Sequence, residues 1–175
     1  MEVATEISEL KSLVRDHDSR FWHGLAEATR ASMRLDQLLV LSSLRKRAMS
    51  KGIPQNNIVG EPARIALIGG YSLYPLSEVL EHCLAVAGIE PVFYLGDFDN
   101  YVAEITDAKS ELLAFTPDVI CILPSARLVS PRGSISAARE AFDKEAHEVV
   151  QHLLNLCGTV HKSTNAEIRC TSRSE

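Results

Sequence analysis

The stretch RIALIGGYSLYPLSEVLEHCLAVAGIEPVFYLG, Arg64–Gly96, decides the fold. It opens on an apolar run that ends at Gly69-Gly70 and closes on a second run that ends at Gly96. Each run has the continuous hydrophobicity of a strand buried on both faces. Between them Leu76, Val79, Leu80, Cys83, Leu84 and Val86 recur at helical spacing, with Pro75 at the start and Gly88 as the stop. Strand, helix, strand in so short a span is a βαβ unit, and a right-handed crossover makes its strands parallel.

Working outward, DVICILP (118–124) is a third apolar run, and a poorer helical pattern, NYVAEITDAKSELLAF, separates it from the second. A long helix is expected at about 135–161 from one apolar face running from Ile135 through Phe142 and Val149 to Leu156 and Val160. NAEIRC (165–170) begins a fourth strand. Three strands and a fragment make a thin sheet, a pattern that points to dimerisation or to a longer parent chain. Toward the N-terminus, the first fifty residues hold one glycine and no proline, and Leu25, Met33, Leu35, Leu38, Leu39, Leu41 and Leu44 recur at roughly helical spacing, predicting two or three helices. The expected organisation is a helical segment at 1–52, a linker at 53–62, an α/β domain at 63–168 and a tail at 169–175. The fold class is α/β, a three-layer Rossmann- or flavodoxin-like parallel sheet with an N-terminal helical segment.

The totals exclude several functions. With 18 Lys and Arg against 23 Asp and Glu, a net charge of -5, the 175-residue chain does not favour a phosphate backbone, and no nucleic-acid partner is expected. No apolar run approaches the roughly 18 residues that span a bilayer, and MEVATEISEL lacks a signal-peptide core, so a cytoplasmic location without membrane attachment is expected. The four cysteines are widely spaced, read as reduced thiols, and form no zinc pattern; neither a metal nor a cofactor is expected.

In an open parallel sheet ligands bind beyond the carboxyl ends of the strands, so GGYSLYP, GDFDNY and PSARLVSPRG are the loops that matter. Asp97-x-Asp99 imitates the phosphoryl-attacking pair of a dehalogenase-type phosphatase. Asn100 and Tyr101 follow it where a small hydroxyl residue is needed, and no acidic pair follows a later strand. Capping of the next helix explains the same residues. Gly69 and Gly70 allow close approach of a ligand to the backbone, and Ser72 becomes a nucleophile only if a base reaches it. None of the six histidines lies on a strand-end loop, and His82, His147 and His152 are expected at surface or cap positions of helices. The basic turn Arg45-Lys46-Arg47 reads as a helix end, with phosphate contact as the alternative.

The run ARIALIGGYSLYPLSEVLEHCLAVAGIEPVFYLGDFDNYVAEITDAKSELLAFTPDVICILPSARLV, with RLDQLLVLSSLRKR before it, resembles the N-terminal region of FkbH-like proteins. That resemblance implies an SGNH-hydrolase-like α/β domain. In the full-length family it precedes a dehalogenase-type domain and an acyltransferase-like domain implicated in moving a glyceryl unit onto an acyl carrier protein for polyketide extension. It implies Ser72 at the block I nucleophile position, in Gly70-Tyr71-Ser72 instead of Gly-Asp-Ser, and Gly96 as the block II oxyanion glycine. The block III asparagine is replaced by LPSARL, and the block V Asp-x-x-His is missing. The resulting expectation is a non-catalytic domain that recognises a carrier protein or a glyceryl intermediate, with Gly69, Gly70, Gly96, Asp97 and Ser125 forming the ligand loops. Arg45, Lys46, Arg47, Arg127 and Arg132 are the expected carrier contacts. The alternatives are an SGNH-type esterase or acyltransferase using Ser72 and, from LAVAGIEPVFYLG…LLAFTPDVICI, a cobalamin-binding-like module that lacks the Asp-x-His-x-x-Gly ligand motif.

Overall fold

The computed structural model describes residues 2–55, 62–125 and 139–170, without the side chains of 2–5, 140 and 141. Contacts divide the chain into two compact units, one of Met1–Pro62 with Tyr74–Pro91, the other of Ala63–Leu73 with Val92–Glu175. Residues 74–91, which the pattern of strand and helix sets within the α/β segment, thus cluster with the N-terminal helices.

The first unit contains α1 (Glu2–Arg15), α2 (Phe21–Ala31), α3 (Leu35–Ser50) and α4 (Leu76–Val86). Its core is built from Leu10, Val14, Phe21, Leu25, Leu41, Leu44 and Ala48, closed by Ile53. Ile53 belongs to this core although composition places it in the linker: its carbonyl accepts from Trp22 Nε1 at 3.3 Å, and its N–H donates to Ala48 O at 3.2 Å. Met33 and Leu35, expected on the apolar face, are 94% and 52% exposed. The chain leaves helical geometry at Ser32 and re-enters at Leu35, so the periodicity that joined them is broken there. Gly52 and Gly88, with φ of +69° and +82°, end α3 and α4 in the left-handed conformation that glycine adopts without penalty.

The second unit carries most of a four-stranded, all-parallel sheet in the order β2-β1-β3-β4. The strands are β1 (Pro62–Gly69), β2 (Glu90–Leu95), β3 (Val119–Leu123) and β4 (Glu167–Cys170). Ile65 pairs with Val119 and Gly69 with Leu123 along β1 and β3, while Val119 to Ile122 run beside Glu167 to Cys170. Ala66, Ile68, Ile120 and Ile122 pack with Tyr101 and Ile105 of α5 (Tyr101–Thr106), Leu112 of α6 (Glu111–Ala114), and Leu156 and Val160 of α7 (Arg139–Ser163). Where one helix was expected after β2 there are two. Asp107 accepts from Lys109 N at 2.9 Å and Ser110 Oγ from Leu113 N at 3.3 Å, so local side-chain acceptors end one helix and cap the next. This is a Rossmann-like α/β arrangement, the class that the apolar runs predict.

Candidate functional site at the strand ends

From β1 the chain moves outward to β2 and then returns past β1 to β3. The reversal puts the topological switch point at the carboxyl ends of β1 and β3, the place where this architecture ordinarily binds ligands. The two strand ends are drawn tight: Gly70 N–H donates to Leu123 O at 3.0 Å, and a Cβ on Gly69 would fall 2.1 Å from that same carbonyl oxygen. A Cβ on Gly70 would meet Ser125 Cβ at 2.4 Å and Asp99 Oδ1 at 2.9 Å. Gly69, Gly70, Ser125 and Asp99 of the β2 loop therefore lie together. Ser125 is buried and Ser72 is exposed on the loop after β1.

Asp97 and Asp99 are both exposed. Asp99 has φ of +58°, a left-handed conformation that aspartate tolerates better than most residues, and its N–H donates to Gly69 O at 2.9 Å. The turn thus hooks the β2 loop onto the end of β1. Asn100 stands at the N-cap of α5 but makes no side-chain capping bond, so the helix-capping role expected of these residues is not how the loop is held. Its anchor is Glu104, a residue the sequence did not single out. Glu104 is 7% exposed, and its Oε1 accepts from Asp97 N–H at 3.0 Å. Gly96 leaves the room for it, because a Cβ there would lie 2.6 Å from Glu104 Oε2. Burial raises the carboxyl's pKa, the Asp97 N–H lowers it, and the nearby carboxylates of Asp97 and Glu111 raise it further. Burial and then Asp99 likewise push up the Tyr101 phenol.

Gly96 is not an oxyanion donor. Its N–H is spent inside the sheet on Leu67 O at 2.9 Å, which is where a parallel ladder directs it. His82 is not at the surface either. It is fully buried in the helical unit, its Nε2 3.0 Å from Thr29 Oγ1, and burial followed by the charge of Arg45 lowers its pKa to about 4.

The basic turn also departs from expectation. Arg45 is 6% exposed and its guanidinium pairs with Glu81, so it faces α4 instead of a partner. Lys46 Nζ lies 2.7 Å from Glu78 and 3.4 Å from Glu81, and its ammonium is held protonated chiefly by the Glu78 bond. Lys46 and Arg47 are both exposed, and Arg47 stands in the last turn of α3. Arg127 and Arg132 lie outside the described residues. Among the described residues, no cluster of His, Cys, Asp and Glu is arranged to hold a metal, and no helix is long and apolar enough to cross a membrane. The cysteines are free thiols.

The strand order and its loops define a Rossmann-like α/β domain whose topological switch point lies between β1 and β3. No protein-family model matches the chain, and no curated protein does. Among solved structures it is similar to the N-terminal part of the protein BF1531 from Bacteroides fragilis, a part described as containing a phosphatase domain complexed with Mg. The TM-score is 0.52 at 15% identity, over 69% of this chain and 32% of that one. The chain therefore spans about a third of that structure's length, and the likeness is one of fold.

Proposed function

We propose that this chain is a non-catalytic recognition domain of FkbH-like type. In this reading the strand-end cleft receives a small polar glyceryl-type group presented by an acyl carrier protein in polyketide-type biosynthesis. The observation that carries the reading is the fate of the β2-loop donors. Gly96 N–H is consumed by Leu67 O and Asp97 N–H by Glu104, so the two N–H groups that begin the loop face protein acceptors. An esterase needs preorganised donors aimed at the developing oxyanion. A binding cleft needs only a shaped floor, and the close approach of Gly69, Gly70 and Ser125 supports that role for them. Likeness to part of a phosphatase-domain protein supports a parent of the same general kind. With Arg45 and Lys46 committed to Glu81 and Glu78, Arg47 is the residue of that turn left to meet an acidic carrier.

The test is a titration of isotope-labelled protein with glyceryl-loaded and unloaded carrier protein, followed by amide spectra and paired with an ester-hydrolysis assay. Loaded carrier is expected to shift the amides of Gly69–Ser72 and Ser125 more than unloaded carrier does, without ester turnover. Arg47→Glu is expected to weaken binding about two- to fivefold at low salt, with the difference fading as salt rises. Saturable hydrolysis lost in Ser72→Ala would establish the esterase instead, and unshifted strand-end amides would dismiss the cleft as the contact.

A further inference from the structure

β4 ends the sheet: among the described residues no strand pairs with its outer side. An open strand edge offers unpaired N–H and C=O groups to another chain. The side chains of this edge are self-complementary. Glu167 and Arg169 project to one face, where they already pair at 2.5 Å, while Ile168 projects to the other, beside the buried Ile120. If a second β4 is laid antiparallel with Ile168 opposite Ile168, Glu167 falls opposite the partner's Arg169 and Arg169 opposite the partner's Glu167. Opposite charges in directly facing positions attract, and both pairs are created by one twofold axis.

The neighbouring helix continues this surface. Cys157 of α7 and Ile168 of β4 pack on the same core, and α7 and β4 are in contact, so that flank of α7 faces the sheet. Three and seven residues earlier on the same flank stand Leu154 and Val150, 57% and 51% exposed, spaced as neighbours along a helix face. We propose that a second copy of this chain docks here, pairing β4 with β4 antiparallel about Ile168. The four-stranded sheets then join into one sheet of eight strands, with the Val150 and Leu154 stripes of the two α7 helices meeting across the axis. The occupant is a second copy because the alternation of Glu167 and Arg169 about Ile168 matches itself.

Sedimentation velocity of the full chain over a wide concentration range tests the pairing. The wild-type chain is expected to sediment as a dimer. Glu167→Arg, which sets arginine against the partner's Arg169, and Leu154→Glu are each expected to raise the dimer dissociation constant about tenfold or more. The charge swap Glu167→Arg with Arg169→Glu restores the complementarity and is expected to restore the dimer. Circular dichroism reports whether each variant is folded, and the swap decides the matter even if Leu154→Glu is not. A wild-type chain that stays monomeric at every concentration overturns the proposal. So does a dimer that Glu167→Arg leaves intact, or one that the swap fails to rescue.

Discussion

Gly70 shows most directly how a single residue sets the packing of the strand-end loops. It has no side chain because Ser125 and Asp99 already occupy the space, its absent Cβ lying 2.4 Å from one and 2.9 Å from the other. Adding one methyl forces the β1 and β3 loops apart, and overpacking of this kind costs about 1–3 kcal/mol. Gly70→Ala is therefore expected to lower the urea midpoint while leaving the denaturant slope unchanged, and to abolish the ligand-induced shifts at Ser125. An alanine variant with wild-type stability and wild-type shifts would mean that the floor is looser than its geometry. The glycine pair itself was legible in the sequence as a point of close approach. What approaches it was not, because Ser125 and Asp99 reach Gly70 from two other strand ends, and no local pattern encodes that meeting.

At the level of elements, α3 and α4 are joined by a polar seam. Ser42 Oγ donates to Glu78 at 2.5 Å, Lys46 bridges Glu78 and Glu81, and the buried Arg45 pairs with Glu81. Removing one partner of a buried pair leaves the other charge uncompensated, a loss of about 3–5 kcal/mol where both are fully enclosed. Glu81 is one-third exposed, so water offsets part of this, and Glu81→Ala is expected to cost about 2 kcal/mol. Arg45→Met combined with Glu81→Leu is expected to regain most of that stability, since apolar isosteres remove the desolvation penalty with the charges. Chemical denaturation of the single and double variants checks both values. Read locally, Arg45-Lys46-Arg47 is a basic helix end, and only Arg47 behaves as one. The partners of the other two lie 32 to 36 residues away on α4, beyond what a window of one helix conveys. The strands were legible for the opposite reason: Ile65 to Ile68 are all buried, and burial on both faces writes itself as an unbroken apolar run.

Across the whole molecule, each unit encloses a titratable group whose pKa burial shifts toward the neutral form, His82 in one and Glu104 in the other, and the two respond to pH with opposite sign. In the helical unit His82 has a folded pKa of about 4 against an ordinary 6.5. Its contribution is complete above 6.5 and is lost as pH falls toward 4, because the unfolded chain takes up the proton first; the full loss is at most about 3 kcal/mol. In the sheet unit burial raises the Glu104 carboxyl above its ordinary 4.5. Its contribution is complete below 4.5 and fades as pH rises through the folded value. Trp22 is the chain's one tryptophan and packs edge-on against Phe21 in the helical core, so its fluorescence reports that unit. Acidification from pH 7 to 5 is expected to lower the denaturation midpoint seen by Trp22, and His82→Gln, which stays neutral, is expected to flatten that dependence. Amide exchange in β1 and β3, followed down to pH 4.5 and referred to the intrinsic exchange rate at each pH, is expected to move the other way, and Glu104→Gln to remove that movement. Coincident pH profiles for Trp22 and the β1 amides in both variants would show the two groups to be without influence, whereas divergent wild-type profiles that converge in the variants locate the pH response in these two side chains.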